Sequence, residues 1–121
     1  MLNYMMIFRD DRCQIEQLSP EKRESMVEDF IAWADQLAAD GKYQYSDRLA
    51  TNGEAKTLRK RGQTINIEGP FAETHEAING FIVIEVATEE EALAAAEECP
   101  GLALGWAVEV RRIVPVAKPS S

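Results

Sequence analysis

The six residues Phe81-Ile82-Val83-Ile84-Glu85-Val86 constrain this chain more than any other stretch. Successive side chains of an extended strand point to opposite faces, so Phe81 and Val83 go one way while Ile82, Ile84 and Val86 go the other. A strand that is apolar on both faces belongs in the middle of a sheet with material packed on each side. Residues 4–9 have the same character, with Tyr4, Met6 and Phe8 on one face and Met5 and Ile7 on the other. The pattern predicts two central strands that are distant in sequence and adjacent in space.

The remaining elements follow from their punctuation. Ser19-Pro20 supplies a helix N-cap and a proline at the first helical position, and Glu21 and Glu24 suit the positive end of the dipole. Met26, Val27, Phe30, Trp33, Ala34, Leu37 and Ala38 recur at three- and four-residue steps, which predicts a helix over residues 20–40 ended by Gly41. Residues 43–49 alternate aromatic and polar side chains as a second strand, and Asn52-Gly53 is a turn signal. A hairpin follows with arms at residues 55–59 and 63–68, carrying Leu58, Ile65 and Ile67. Thr88-Glu89-Glu90-Glu91 has a capping-box pattern and opens a second helix through Glu98, whose packing face is Ala92, Leu93, Ala95 and Ala96; Pro100-Gly101 stops it. In a last strand over residues 106–114, Trp106, Val108 and Val110 share one face, and Ala107, Glu109, Arg111 and Ile113 the other. Residues 10–17 read as a loop and residues 115–121 as a short flexible tail.

Strand, long helix, strand, inserted β-hairpin, strand, helix, strand is the order of a ferredoxin-like split β-α-β sandwich, an α+β fold. Right-handed crossovers put both helices on one side of the sheet. The other side is apolar too, and in a chain of 121 residues the simplest cover is a second copy, which predicts a homodimer with its two sheets face to face. That length suits one domain over residues 1–121.

A net charge of −8 argues against broad nucleic-acid binding, which needs a concentrated basic surface. The one basic cluster, Lys56, Arg59, Lys60 and Arg61, flanks Gly62 and reads as a solvated hairpin tip. Apolar runs are strand-sized and the first residues lack the basic start of a secretion signal, so no membrane association is expected and the expected location is the cytoplasm. Cys13 and Cys99 have neither metal-ligand nor redox-pair spacing and are expected to be free thiols.

Chemistry-bearing residues concentrate between Glu68 and Gly80. Gly69-Pro70 ends a strand, Phe71 and Ile78 anchor the excursion, and Asn79-Gly80 returns it. Glu68, Glu73, His75 and Glu76 crowd this loop. A histidine beside carboxylates has the parts of a general acid–base pair, which makes His75 and Glu73 the candidate catalytic residues. The competing reading is that the carboxylates accept backbone N–H groups and shape the turn. A second histidine is lacking, so no metal site is expected, and nothing calls for a cofactor. Glu109 and Arg111, on the sheet face predicted to meet the partner, either line a polar pocket or form an ion pair at the dimer rim. Arg111 has the planar fork that grips a carboxylate. Glu68, Phe71, Glu73, Glu109 and Arg111 are therefore the candidate ligand-binding residues for a small polar metabolite between loop and sheet. Asp47 and Arg48 either reach that pocket or form a surface pair, and Phe30 and Trp33 belong to the core stripe of the first helix.

Residues 68–76, Glu-Gly-Pro-Phe-Ala-Glu-Thr-His-Glu, resemble the Asp-Gly-Pro-Phe-Ala-Glu-Thr-Lys-Glu signature of the DGPF group in the YCII-related domain family, followed as there by a Gly80-Phe81 strand. The helix start Ser19-Pro20-Glu21, the helix over residues 89–98 and the strand Val108-Glu109-Val110-Arg111-Arg112 also fall where the family has them, so the resemblance spans almost the whole chain. It implies a dimeric α+β barrel. Relatives in the broader family carry a histidine and an aspartate proposed as catalytic, the histidine lying in the first helix. This chain has no histidine there, His75 stands where the signature has lysine, and Glu68 stands where it has aspartate, so that pair is not transferred. Members of the DGPF group are associated with alternative sigma factors, which implies a regulatory protein as a partner. Two functions follow: a dimeric module that binds a small molecule or a regulatory protein, and a small-metabolite enzyme with lyase- or isomerase-type acid–base chemistry. The missing histidine favours the module.

Overall fold

A computed structural model of the chain describes residues 1–11, 17–50, 55–68 and 76–119. Within them, β1 (Leu2–Asp11) leads into α1 (Pro20–Ala39) and β2 (Tyr43–Arg48); β3 (Thr57–Arg61) and β4 (Thr64–Glu68) form a hairpin; β5 (Glu76–Val86), α2 (Glu89–Glu97), a 3-10 helix (Pro100–Leu104) and β6 (Ala107–Arg112) follow. The main sheet has the order β2-β5-β1-β6, all its pairs antiparallel, and the β3–β4 hairpin is a separate two-stranded sheet. This is the split β-α-β arrangement with its inserted hairpin, and the two strands that are apolar on both faces are its centre.

Tyr4, Met6 and Phe8 of β1 and Ile82, Ile84 and Val86 of β5 are buried on the helix side. Met26, Trp33 and Leu37 of α1 meet them, and Ala92, Ala95 and Ala96 let α2 approach closely. The Trp33 indole N–H donates to the Ala95 carbonyl at 3.2 Å, which ties the two helices together. Both helix starts are capped as the sequence indicates: the Lys22 N–H donates to Ser19 Oγ and the Glu91 N–H to Thr88 Oγ1, each at 3.2 Å. The Glu91 carboxylate reaches back one residue further than in a standard capping box and accepts from the Ala87 N–H at 3.1 Å.

Element ends differ from expectation where pairing outruns local pattern. β1 continues through Asp10, which is 1% exposed, to Asp11, and β5 begins at Glu76 rather than Phe81, because the two strands stay paired out to Asp11 and Glu76. β3 runs through Arg61, and β6 ends at Arg112. The helix stripe is also only partly covered: Val27 is 43% exposed and Ile31 56%, while Phe30 and Ala34 are half-buried. On the side away from the helices, Met5, Ile7, Phe81 and Val83 remain half-buried and Tyr45 is exposed.

Gly101 shows how tightly the β6 end of the core is packed. A Cβ there would lie 2.3 Å from Cε3 of Trp106, whose own N–H donates to the Gly101 carbonyl at 3.0 Å. Neither group can retreat without moving the other. Gly101→Ala should therefore lower stability by about 1–3 kcal/mol, the range for an overpacked core. Urea denaturation checks it: the midpoint should fall while the slope stays unchanged.

Candidate functional site

The strands and α1 leave a cavity of about 490 Å³ between them. Its floor is Phe8, Gly80 and Ile82, its roof the α1 side chains from Met26 to Ala34, and its end Trp106. Four aromatic rings frame it. Phe8 lies 5.7 Å from Phe30, 6.0 Å from Trp33 and 6.2 Å from Trp106 between centroids, and Phe30 is 5.4 Å from Trp106. Each ring props its neighbours, so the space cannot close by a simple change of rotamer.

A β-bulge gives the cavity its polar group. The partners of Phe8 and Arg9 across the β1–β5 ladder are Gly80 and Ile78, so Asn79 is the extra residue. A bulge turns two consecutive side-chain positions to the same side of the sheet. Asn79 and Gly80 accordingly both line the helix-side cavity, although strict alternation would send Asn79 to the far face with Phe81. Asn79 is only 6% exposed, and its Nδ2 has no hydrogen-bond partner among the described residues. Its backbone carbonyl accepts from the Leu49 N–H at 2.9 Å. A buried amide donor left unsatisfied costs about 1–3 kcal/mol.

At the rim the edge strand β2 presses against β5. A Cβ on Gly80 would sit 2.9 Å from the Asp47 carbonyl oxygen, so only glycine permits the approach. Ser46, Asp47 and Arg48 form this rim. The Ser46 hydroxyl is bonded to the Tyr43 hydroxyl at 2.7 Å. Tyr45 donates its hydroxyl to the Asp47 carboxylate, and that bond holds the Tyr45 phenol above its usual pKa. Arg48 is exposed, lines the cavity and makes no ion pair among the described residues.

The residues singled out in the sequence are dispersed. Glu109 and Arg111 stand on the opposite face of the sheet, where Glu109 takes Arg9 at 3.0 Å and Arg111 at 3.4 Å, with the Arg111 side chain 70% exposed. Glu68 belongs to the hairpin and pairs with Arg59 and Arg61, each at 3.7 Å. Phe71, Glu73 and His75 lie outside the described residues. Phe30 and Trp33, expected as core, are at once core and cavity wall. Among the described residues no group of three or more His, Cys, Asp or Glu side chains is placed to hold a metal ion. No described helix is long and apolar enough to cross a membrane. Asn79 went unrecognised because the Asn79-Gly80 pair carries the same letters as a turn.

Cys99 is free and 3% exposed, and burial pushes its thiol up from 9.0 to about 11, although the backbone N–H groups of Gly101 and Leu102 pull it slightly back. It is a packed thiol and not a nucleophile. In the unfolded chain it ionises first, so between about pH 9 and about 11 the unfolded state holds fewer protons and stability falls as pH rises. The fall measured by urea denaturation across that window should be shallower in Cys99→Ala.

An α+β chain with an aromatic cavity between its first helix and its sheet is thus the class defined by fold and site. The chain belongs to the YCII-related domain family, whose profile matches residues 2–117. It is 35% identical over 91 residues, covering 74% of this chain and 73% of the relative, to the uncharacterized protein R00369 of Rhizobium meliloti (strain 1021). Its fold is similar to that of 5-chloro-2-hydroxyhydroquinone dehydrochlorinase (TftG) from Burkholderia phenoliruptrix AC1100, solved with 2,5-dihydroxybenzoquinone, at a TM-score of 0.54 and 17% identity over 93% of both chains.

Proposed function

We propose that this protein binds a small molecule in the cavity between α1 and the sheet, and that it does so as a homodimer. The observation that carries the reading is the unsatisfied Asn79 amide in the wall of an aromatic-framed cavity of about 490 Å³, within the range of about 300–1,000 Å³ usual for ligand pockets. Interiors are close-packed, and a space of this size beside a donor with no partner is built for an occupant. The titratable residues among the described cavity lining, Asp47 and Arg48, stand at its rim, which favours binding over acid–base chemistry. The dehydrochlorinase of similar fold supports the enzyme alternative.

A thermal-shift screen of small metabolites tests the reading. A ligand at about a hundred times its Kd should add about 2.7 kcal/mol of stability. Ala34→Phe, which fills the cavity from the α1 side, should leave the fold intact and remove the shift. Mass spectrometry of the recovered ligand separates the two functions, since a binding module returns it unchanged.

The homodimer is supported by Met5, Ile7, Phe81 and Val83 on the sheet face that the helices leave open. Met5→Asp should yield a folded monomer by analytical ultracentrifugation at concentrations where the parent sediments as a dimer. A parent that sediments as a monomer would remove this part of the proposal.

A further inference from the structure

We infer that the ligand is a planar aromatic anion, its ring held in the aromatic cavity and its negatively charged oxygen end lying between the Asn79 amide and the Arg48 guanidinium. The inference rests on the cavity being the binding site and names the chemistry that site selects.

Arg48 and Gly80 are direct partners in the β2–β5 ladder, and the hydrogen bond from the Leu49 N–H to the Asn79 carbonyl fixes the next step of the pairing. The Arg48 Cα comes within 3.5 Å of where a Gly80 Cβ would be. Arg48 and Asn79 therefore converge on one end of the cavity. Both lack partners among the described residues, Arg48 having no ion pair and Asn79 Nδ2 no acceptor.

The other polar groups nearby are committed elsewhere. Ser46 is bonded to Tyr43, the Asp47 carboxylate accepts from Tyr45, and the Trp33 indole N–H is spent on the Ala95 carbonyl. What remains is one amide donor, one planar cation and a wall of rings. A guanidinium grips two oxygens of one anionic group, and an amide N–H adds a third bond to it. Phe8, Phe30 and Trp106 suit a flat ring of one or two cycles. A neutral ring would gain nothing from the guanidinium, and a small anion without a ring would leave the cavity empty.

The arginines on the opposite face of the sheet sharpen the assignment. Arg111 and Arg9 already share the Glu109 carboxylate on the opposite face, so an incoming anion there must compete with a carboxylate in place. Arg48 offers the open valence beside the cavity.

Isothermal titration with 2-naphthoate and with its neutral isostere 2-naphthamide tests the inference, with the indole resonances of Trp33 and Trp106 reporting the location. The naphthoate should bind at least about tenfold more tightly than the amide, equivalent to about 1.4 kcal/mol. Arg48→Gln, a change at an exposed side chain, should erase that preference by weakening the naphthoate far more than the naphthamide. Asn79→Leu should weaken the naphthoate about tenfold; if that variant does not fold, the Arg48→Gln comparison still decides. Equal or tighter binding of the amide, or a preference that survives Arg48→Gln, overturns the anion assignment while the cavity remains a binding site. If neither compound shifts the two indoles, the inference falls, and the metabolite screen alone decides whether the cavity is a binding site.

Discussion

The close approach of β2 to β5 at Gly80 is the constraint on which the rest of the site depends. The Asp47 carbonyl stands 2.9 Å, and the Phe8 ring 3.6 Å, from where any side chain would begin, so residue 80 must be glycine for the edge strand to seat. Once seated, β2 carries Arg48 to the cavity rim and lets the Leu49 N–H take the Asn79 carbonyl. The bulge at Asn79 is then fixed from both sides, by β1 through the slipped register and by β2 through that bond. A local absence of side chain thereby positions three parts of the candidate site: a cation, an amide and the floor of a cavity.

The cavity persists because the helix layer is packed unevenly. α2 presents alanines and sits down on the sheet, with Ala92 fully buried. α1 presents Phe30 and Trp33, and Trp33 is pinned to α2 by its indole hydrogen bond. Rings whose centroids are 5.4–6.2 Å apart hold one another up as struts. Val27 and Ile31 then overhang space where an evenly packed stripe would meet the sheet, which accounts for their exposure of 43% and 56%.

Most of the fold was legible because it is periodic. Two-residue alternation in residues 4–9 and 81–86 named the central strands, and the Ser19-Pro20 and Thr88 caps named both helix starts. The same alternation assigned Glu109 and Arg111 correctly to the face without helices. The site was less legible for two physical reasons. A bulge adds one residue and reverses the alternation beyond it, so Asn79 cannot be assigned a face by counting, and its neighbour Gly80 makes the pair look like a turn. The space itself is a property of how α1 sits, and no spacing of apolar residues distinguishes a stripe that meets the sheet from one that stops short. Carboxylates drew the sequence reading toward residues 68–76, yet Glu68 answers the hairpin arginines Arg59 and Arg61.

The two faces of the sheet are not independent, because β2 is shared by both. Tyr45 packs against Phe81 on the open face at 5.7 Å and bonds Asp47, while Ser46 and Arg48, next to them in the chain, serve the cavity. The open face has an apolar centre of Met5, Ile7, Phe81 and Val83 and a polar edge of Arg9, Glu109 and Arg111, the anatomy of a protein interface. Ion pairs this exposed contribute about 0–1 kcal/mol, so the driving force of the proposed homodimer would come from the apolar centre. Whatever covers Tyr45 restricts the backbone of an edge strand that β5 holds along one side only, and consecutive residues of a strand cannot be ordered separately. A second copy on the open face, as proposed, would therefore also restrain the β2 backbone that carries the cavity rim.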